Sequence, residues 1–94
     1  MIYLTAIIKA KPQYLDEVRA VLQRMVTETR KEKACIRYDL HQETTDENIF
    51  VFYEIWESKE GLDAHNQQAY ILDFGHMAQE KLQQAPTIYL TKKI

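Results

Sequence analysis

The chain has 94 residues, 12 Lys/Arg against 14 Asp/Glu, a formal net charge of −2 and one cysteine. That length sets a single domain over residues 1–94, and the near balance of charge, without a Lys/Arg block, argues against a nucleic-acid partner. One cysteine excludes an internal disulfide and a cysteine-rich metal site, and no run of about 18 apolar residues suggests a membrane span. No basic, signal-like segment opens the chain, so a cytoplasmic location is expected.

Ile2 to Lys9 is apolar on both phases of a two-residue alternation, with Ile2, Leu4, Ala6 and Ile8 on one side and Tyr3 and Ile7 on the other. This predicts a strand. Pro12 suits the first helical position, where its missing N–H costs nothing. Leu15, Val18, Leu22, Met25, Val26 and Thr29 then recur at helical spacing, predicting a helix over about 12–31. The mixed run Arg30-Lys31-Glu32-Lys33 reads as a solvated helix end. Cys35 to Gln42 alternates, with Ile36, Tyr38 and Leu40 on one face and Cys35, Arg37, Asp39 and His41 on the other.

A polar connection of hairpin length follows, and then Ile49 to Trp56, again apolar on both faces. Glu54 sits inside this strand, on the face of Phe50, Phe52 and Trp56. A carboxylate there needs hydrogen-bond or charge partners. Arg37 on the adjoining strand and His65 on the next element are the two candidates. Ser58 is a plausible N-cap. Leu62, His65 and Ala69 form one helical stripe, and Tyr70, Phe74, Met77, Ala78 and Leu82 another. The two stripes differ in phase, which predicts a break near Asn66–Gln68. Thr87 to Lys92 is a last strand.

The order β-α-β-β-α-β with right-handed crossovers predicts an α+β, ferredoxin-like antiparallel sheet of order 4-1-3-2, helices on one face. Strands 1 and 3 become the central pair, and these are the two strands apolar on both sides. The apolar positions Tyr3, Ile7, Phe50 and Phe52 are set against Ile2, Leu4, Val51 and Ile55 as the two faces. The face without helices needs a cover, and a second copy of the chain is the simplest one.

The segments "CIRYDLHQ", "FVFYEIWES", "LDAH" and "AYILDF" resemble the antibiotic biosynthesis monooxygenase domain, from Ile2 to about Leu90. Lys33-Ala34 departs from the Pro-Gly or Glu-Gly turn that such domains often carry there. The resemblance implies a dimeric α+β barrel, with one pocket per subunit between sheet and helices. It implies oxidation of quinols or anthrone-like phenols by O₂, with no metal, flavin or other cofactor. His65 matches the histidine of the family's helix segment and, on that reading, is the catalytic base. Glu54 matches the family's strand-3 glutamate, and its role is structural or supporting, with Arg37.

An imidazole titrates near neutral pH and can take a phenolic proton. The competing account of His65 is a helix histidine bonded to a neighbour. Trp56, Tyr70, Phe74 and Met77 can line an aromatic-tolerant substrate pocket, or simply pack the core. Tyr38 and Tyr53 can donate to a substrate carbonyl. His41, His65 and His76 fall on different elements without metal-ligand spacing, so no metal site is expected. Heme-degrading relatives of this fold use a strand-1 Asn and a Trp where this chain has no Asn and His65, respectively. The expected function is a cofactor-independent monooxygenase or oxidoreductase acting on a quinol-like or phenolic small molecule. The alternatives are an isomerase or proton-transfer enzyme on a small carbonyl compound, phosphorylated or not, or a non-catalytic small-molecule-binding dimer.

Overall fold

A computed structural model describes all residues, Met1–Ile94. Four antiparallel strands, β1 (Ile2–Lys9), β2 (Cys35–Gln42), β3 (Ile49–Trp56) and β4 (Thr87–Thr91), form one sheet of order β2-β3-β1-β4. This is the predicted ferredoxin-like order. Helices α1 (Leu15–Thr29), α2 (Lys59–Asn66) and α3 (Ala69–Lys81) supply the other elements. The predicted first helix is shorter than expected, because Pro12–Tyr14 forms a 3-10 turn before α1 begins.

The sheet register decides which side chains meet the helices. Leu4 faces Glu54 and Ala6 faces Phe52 across β1 and β3, so Leu4, Ala6 and Ile8 share a face with Phe50, Phe52, Glu54 and Trp56. All seven are buried. Helix α1 covers this face with Val18, Leu22, Met25 and Thr29, spaced four, three and four residues apart. Tyr3, Ile7, Val51, Tyr53 and Ile55 lie on the opposite face, which carries no helix and leaves them half-exposed. Phe50 and Phe52 therefore belong with Leu4, and the faces set out from sequence are regrouped. The pairing of the two strands, not the residue parity within each, fixes that grouping.

A second correction falls on β2. Cys35 pairs with Trp56 and Arg37 with Ile55, leaving Ile36 as an extra residue. The bulge turns Ile36 outward, 49% exposed, and brings Cys35 round to the face of Tyr38. Strict alternation had put Cys35 with Arg37 and Ile36 with Tyr38.

Two residues, Glu57 and Ser58, separate β3 from helix α2. The Ser58 side chain caps it by accepting from the Gly61 backbone N–H at 3.1 Å. Its eight residues end at Asn66, and Gln68 is extended before α3 begins, which is the predicted break. The N-terminus of α2 packs closely on the turn before β2. A Cβ added to Gly61 would lie 2.3 Å from Ala34 Cβ, while the Glu57 N–H donates to the Ala34 carbonyl at 2.9 Å.

Gly61→Ala should therefore destabilise by about 1–3 kcal/mol, because the overpacking exceeds the roughly 1 kcal/mol that alanine gains in a helix. Adding Ala34→Gly should recover most of the loss, as read by urea midpoints of the single and double variants. A Gly61→Ala midpoint equal to the parent's would refute the contact.

Candidate active site

Strand β3 places Glu54 and Trp56 on the same face two residues apart, and the Trp56 Nε1–H donates to Glu54 Oε1 at 2.9 Å. Both are buried. The short β3–α2 connection then sets Leu62 and His65, three residues apart, down against the sheet. The His65 ring lies over Trp56 with centroids 4.5 Å apart and planes at 42°. It meets Tyr38 edge-on at 5.6 Å.

His65 Nδ1 lies 2.8 Å from Glu32 Oε2. Glu32 stands in the turn between α1 and β2, with its side chain only 12% exposed. The turn is tied by the Glu32 N–H to the Thr29 carbonyl and the Cys35 N–H to the Glu32 carbonyl. The Tyr70 hydroxyl donates to the same carboxylate oxygen of Glu32 and lies 3.2 Å from Thr29 Oγ1. Thr29 is fully buried. A carboxylate at Nδ1 fixes the imidazole as the tautomer with its proton on Nδ1. Nε2, which no protein group bonds, is then a free acceptor.

Burial holds the His65 imidazole below its ordinary range, partly offset by the hydrogen bond and charge of Glu32. Burial likewise pushes Glu54 up to about 7, against the Trp56 hydrogen bond and with a smaller contribution from the Glu32 charge. Tyr38 and Tyr70 are both held above the usual phenol range, chiefly by burial. At neutral pH they are hydrogen-bond donors and not bases.

A cavity of about 110 Å³ lies between the sheet and the helices. Glu54, Tyr38, Phe52 and Leu4 form its floor, His65, Leu62 and Phe74 its roof, and Pro86 and Ile88 its edge beside β4. Asn66 is the one further polar residue in its lining, the other walls are apolar, and neither lysine nor arginine lines it.

Of the residues singled out by sequence, His65, Glu54, Tyr38 and Phe74 thus meet at one cavity. Trp56 lies beneath His65, and Tyr70 reaches the site through Glu32. Met77 is half-buried against the core and lies outside the lining. Tyr53 and Arg37 are on the helix-free face, where Arg37 pairs with Asp39 at 3.2 Å. Arg37 is therefore not the partner of Glu54. Paired strands share a hydrogen-bond ladder, but residues of opposite parity point to opposite faces. His65 is not its bonded partner either, and the Trp56 indole fills that role. His41 lies on the helix-free face and His76 is exposed on α3.

Sequence reasoning missed Glu32, and the run Arg30–Lys33 is not uniformly solvated. Its three cations are exposed, while Glu32 turns inward. No spacing signal links it to a histidine 33 residues away.

An antiparallel ferredoxin-like sheet roofed by helices, with a carboxylate–imidazole pair at a largely apolar cavity, defines the class as an α+β domain of ferredoxin-like topology. The profile of the antibiotic biosynthesis monooxygenase family matches residues 1–76, and the chain belongs to that family. It is 34% identical over 82 residues to the Bacillus subtilis protein named "Putative monooxygenase YcnE", covering 87% of this chain and 86% of that one. The Synechocystis protein sll1783 is 32% identical over 85 residues, covering 90% of this chain, which spans 58% of that protein's length. A solved structure of an antibiotic biosynthesis monooxygenase is 28% identical. It superposes with a TM-score of 0.93, covering 100% of this chain and 99% of that one. No helix here is long and apolar enough to cross a membrane.

Proposed function

We propose that the protein is a cofactor-independent monooxygenase acting on a quinol-like or phenolic aromatic, with His65 as general base. The observation that carries this reading is the Glu32–His65 pair beside an apolar cavity, its Nε2 left free. The phenolic proton passes to Nε2. The resulting phenolate is electron-rich enough to reduce O₂, and oxygen adds to the ring carbon as a peroxide. Cleavage of the O–O bond leaves one oxygen on the ring, and the other departs as water. A quinol and O₂ then give a hydroxyquinone and water, with all four electrons coming from the aromatic. Glu54, on the cavity floor and partly protonated near neutral pH, supplies a proton to the departing oxygen.

Tyr38 donates a hydrogen bond to the substrate oxygen, and Phe74 packs on its ring. O₂ uptake with a menadiol-type or anthrone-type substrate, with no metal or flavin added, tests the proposal. Binding of the aromatic without O₂ uptake refutes it in favour of a binding module.

A second reading, proton transfer on a small carbonyl compound, draws support from the same acid and base facing a small cavity. A phosphorylated substrate is disfavoured, because no lysine or arginine lines the cavity to meet its charge.

The helix-free face supports a homodimer. Ile7, Val51, Tyr53 and Ile55 present a largely apolar centre there, and a second copy laid across it would bury both. Sedimentation should give a dimer at micromolar concentration. Val51→Glu, which places a charge at the centre of that face, should give a monomer. A parent chain that sediments as a monomer refutes the interface.

A further inference from the structure

The His65 cavity adjoins a larger space. A groove of about 390 Å³ runs along the C-terminal half of α3 and the connection to β4. Phe74 and Pro86 line both volumes, so the two are separated by little more than these side chains. We infer that groove and cavity form one two-part ligand site, built for a hydroxyaromatic ring that carries a chain of several atoms ending in a hydrogen-bond acceptor.

The inference rests on the His65 cavity being the ligand site. That cavity alone is well below the roughly 300 Å³ at which small-molecule sites begin, and the groove brings the pair into that range. The groove is also built differently. Its base is Phe74, Ala78, Leu82 and Pro86, suited to an alkyl chain, while Lys11 and Gln79 stand at its margins as donors. The reacting ring belongs at His65 and Glu54, where the proton-handling groups are, and the one lysine of the two volumes, Lys11, lies in the outer part. A chain ending in a carbonyl or carboxylate satisfies both halves.

Gly75 provides the probe. It lines the groove, and a Cβ added there meets no atom within 4 Å. A large side chain at this position fills the groove without pressing on the core, and loss of a glycine favours the helix. The experiment is anaerobic isothermal titration of the full chain with two ligands, 1-naphthol and 1-naphthol bearing a five-carbon carboxylate chain at its 4-position.

The chain-bearing ligand should bind the parent at least about 10-fold more tightly, since each buried methylene is worth a few-fold. Gly75→Phe should erase that advantage and leave 1-naphthol binding within about 2-fold of the parent, which also serves as the folding control. Equal affinities of the two ligands for the parent, no binding by either, or an undiminished advantage in Gly75→Phe overturns the inference. O₂ uptake is read separately. If the affinities split as expected and no quinol is oxidised, the two-part site stands and the oxygenase reading falls.

Discussion

Replacing His65 with alanine is expected to slow O₂ uptake on a menadiol-type quinol by about 10²-fold or more, the usual worth of a positioned general base. The imidazole is the one group in the cavity that is both unprotonated near neutrality and free at one nitrogen. Glu32→Gln separates positioning from packing. It keeps the shape of the side chain but removes the charge that raises His65 toward its ordinary range. The acid limb of the pH–rate profile should therefore move to lower pH, accompanied by a smaller loss of rate than in His65→Ala. A purely structural Glu32 would lower the amount of folded enzyme and leave the limb in place. Full O₂ uptake by folded His65→Ala would end the catalytic assignment.

Glu54→Gln should change how stability depends on pH. Folding raises the Glu54 carboxyl from 4.5 to about 7, so between these values the folded chain binds more protons than the unfolded one. The contribution of Glu54 is then greatest at or below about pH 4.5 and is lost as pH rises through about 7, a change on the order of 3 kcal/mol for a shift of that size. Glutamine keeps an oxygen to accept the Trp56 N–H and cannot ionise. Relative to the parent, Glu54→Gln should gain roughly 3 kcal/mol in unfolding free energy on going from pH 4.5 to pH 8. Parallel curves from urea denaturation would mean that the carboxylate is better solvated than its burial indicates. Truncation to alanine is a milder test than a broken buried ion pair, because the group it strands is a neutral indole N–H worth about 1–3 kcal/mol.

The fold could be read from sequence because its signals are periodic. Val18, Leu22, Met25 and Thr29 mark one helix face, and the doubled apolarity of β1 and β3 marks the centre of the sheet. His65, Glu54 and Trp56 could be placed near one another because α2 follows β3 after two residues. What escaped depends on geometry without a period. The bulge at Ile36 reverses the facing of Cys35, and nothing in the alternating pattern marks the extra residue. Glu32 lies in a turn, surrounded by cations, where composition points to solvent. Its burial follows from Tyr70 and Thr29, which reach it from other elements. Arg37 lies on a strand that pairs with β3 and Tyr53 is the sequence neighbour of Glu54, yet the pleat sends both to the other side.

Glu32 orients the imidazole from a connection, not from a helix or strand, and this distinguishes two loops of similar look. The polar β2–β3 connection around Thr44–Asp46 touches neither the cavity nor the groove, so insertions there should be harmless to activity. The five residues from Arg30 to Ala34 have no such latitude. One residue more or fewer would carry the carboxylate away from Nδ1 and Ala34 away from Gly61. Chains that diverge from this one while keeping its chemistry are expected to vary in length at the hairpin and to hold the α1–β2 turn at a fixed length.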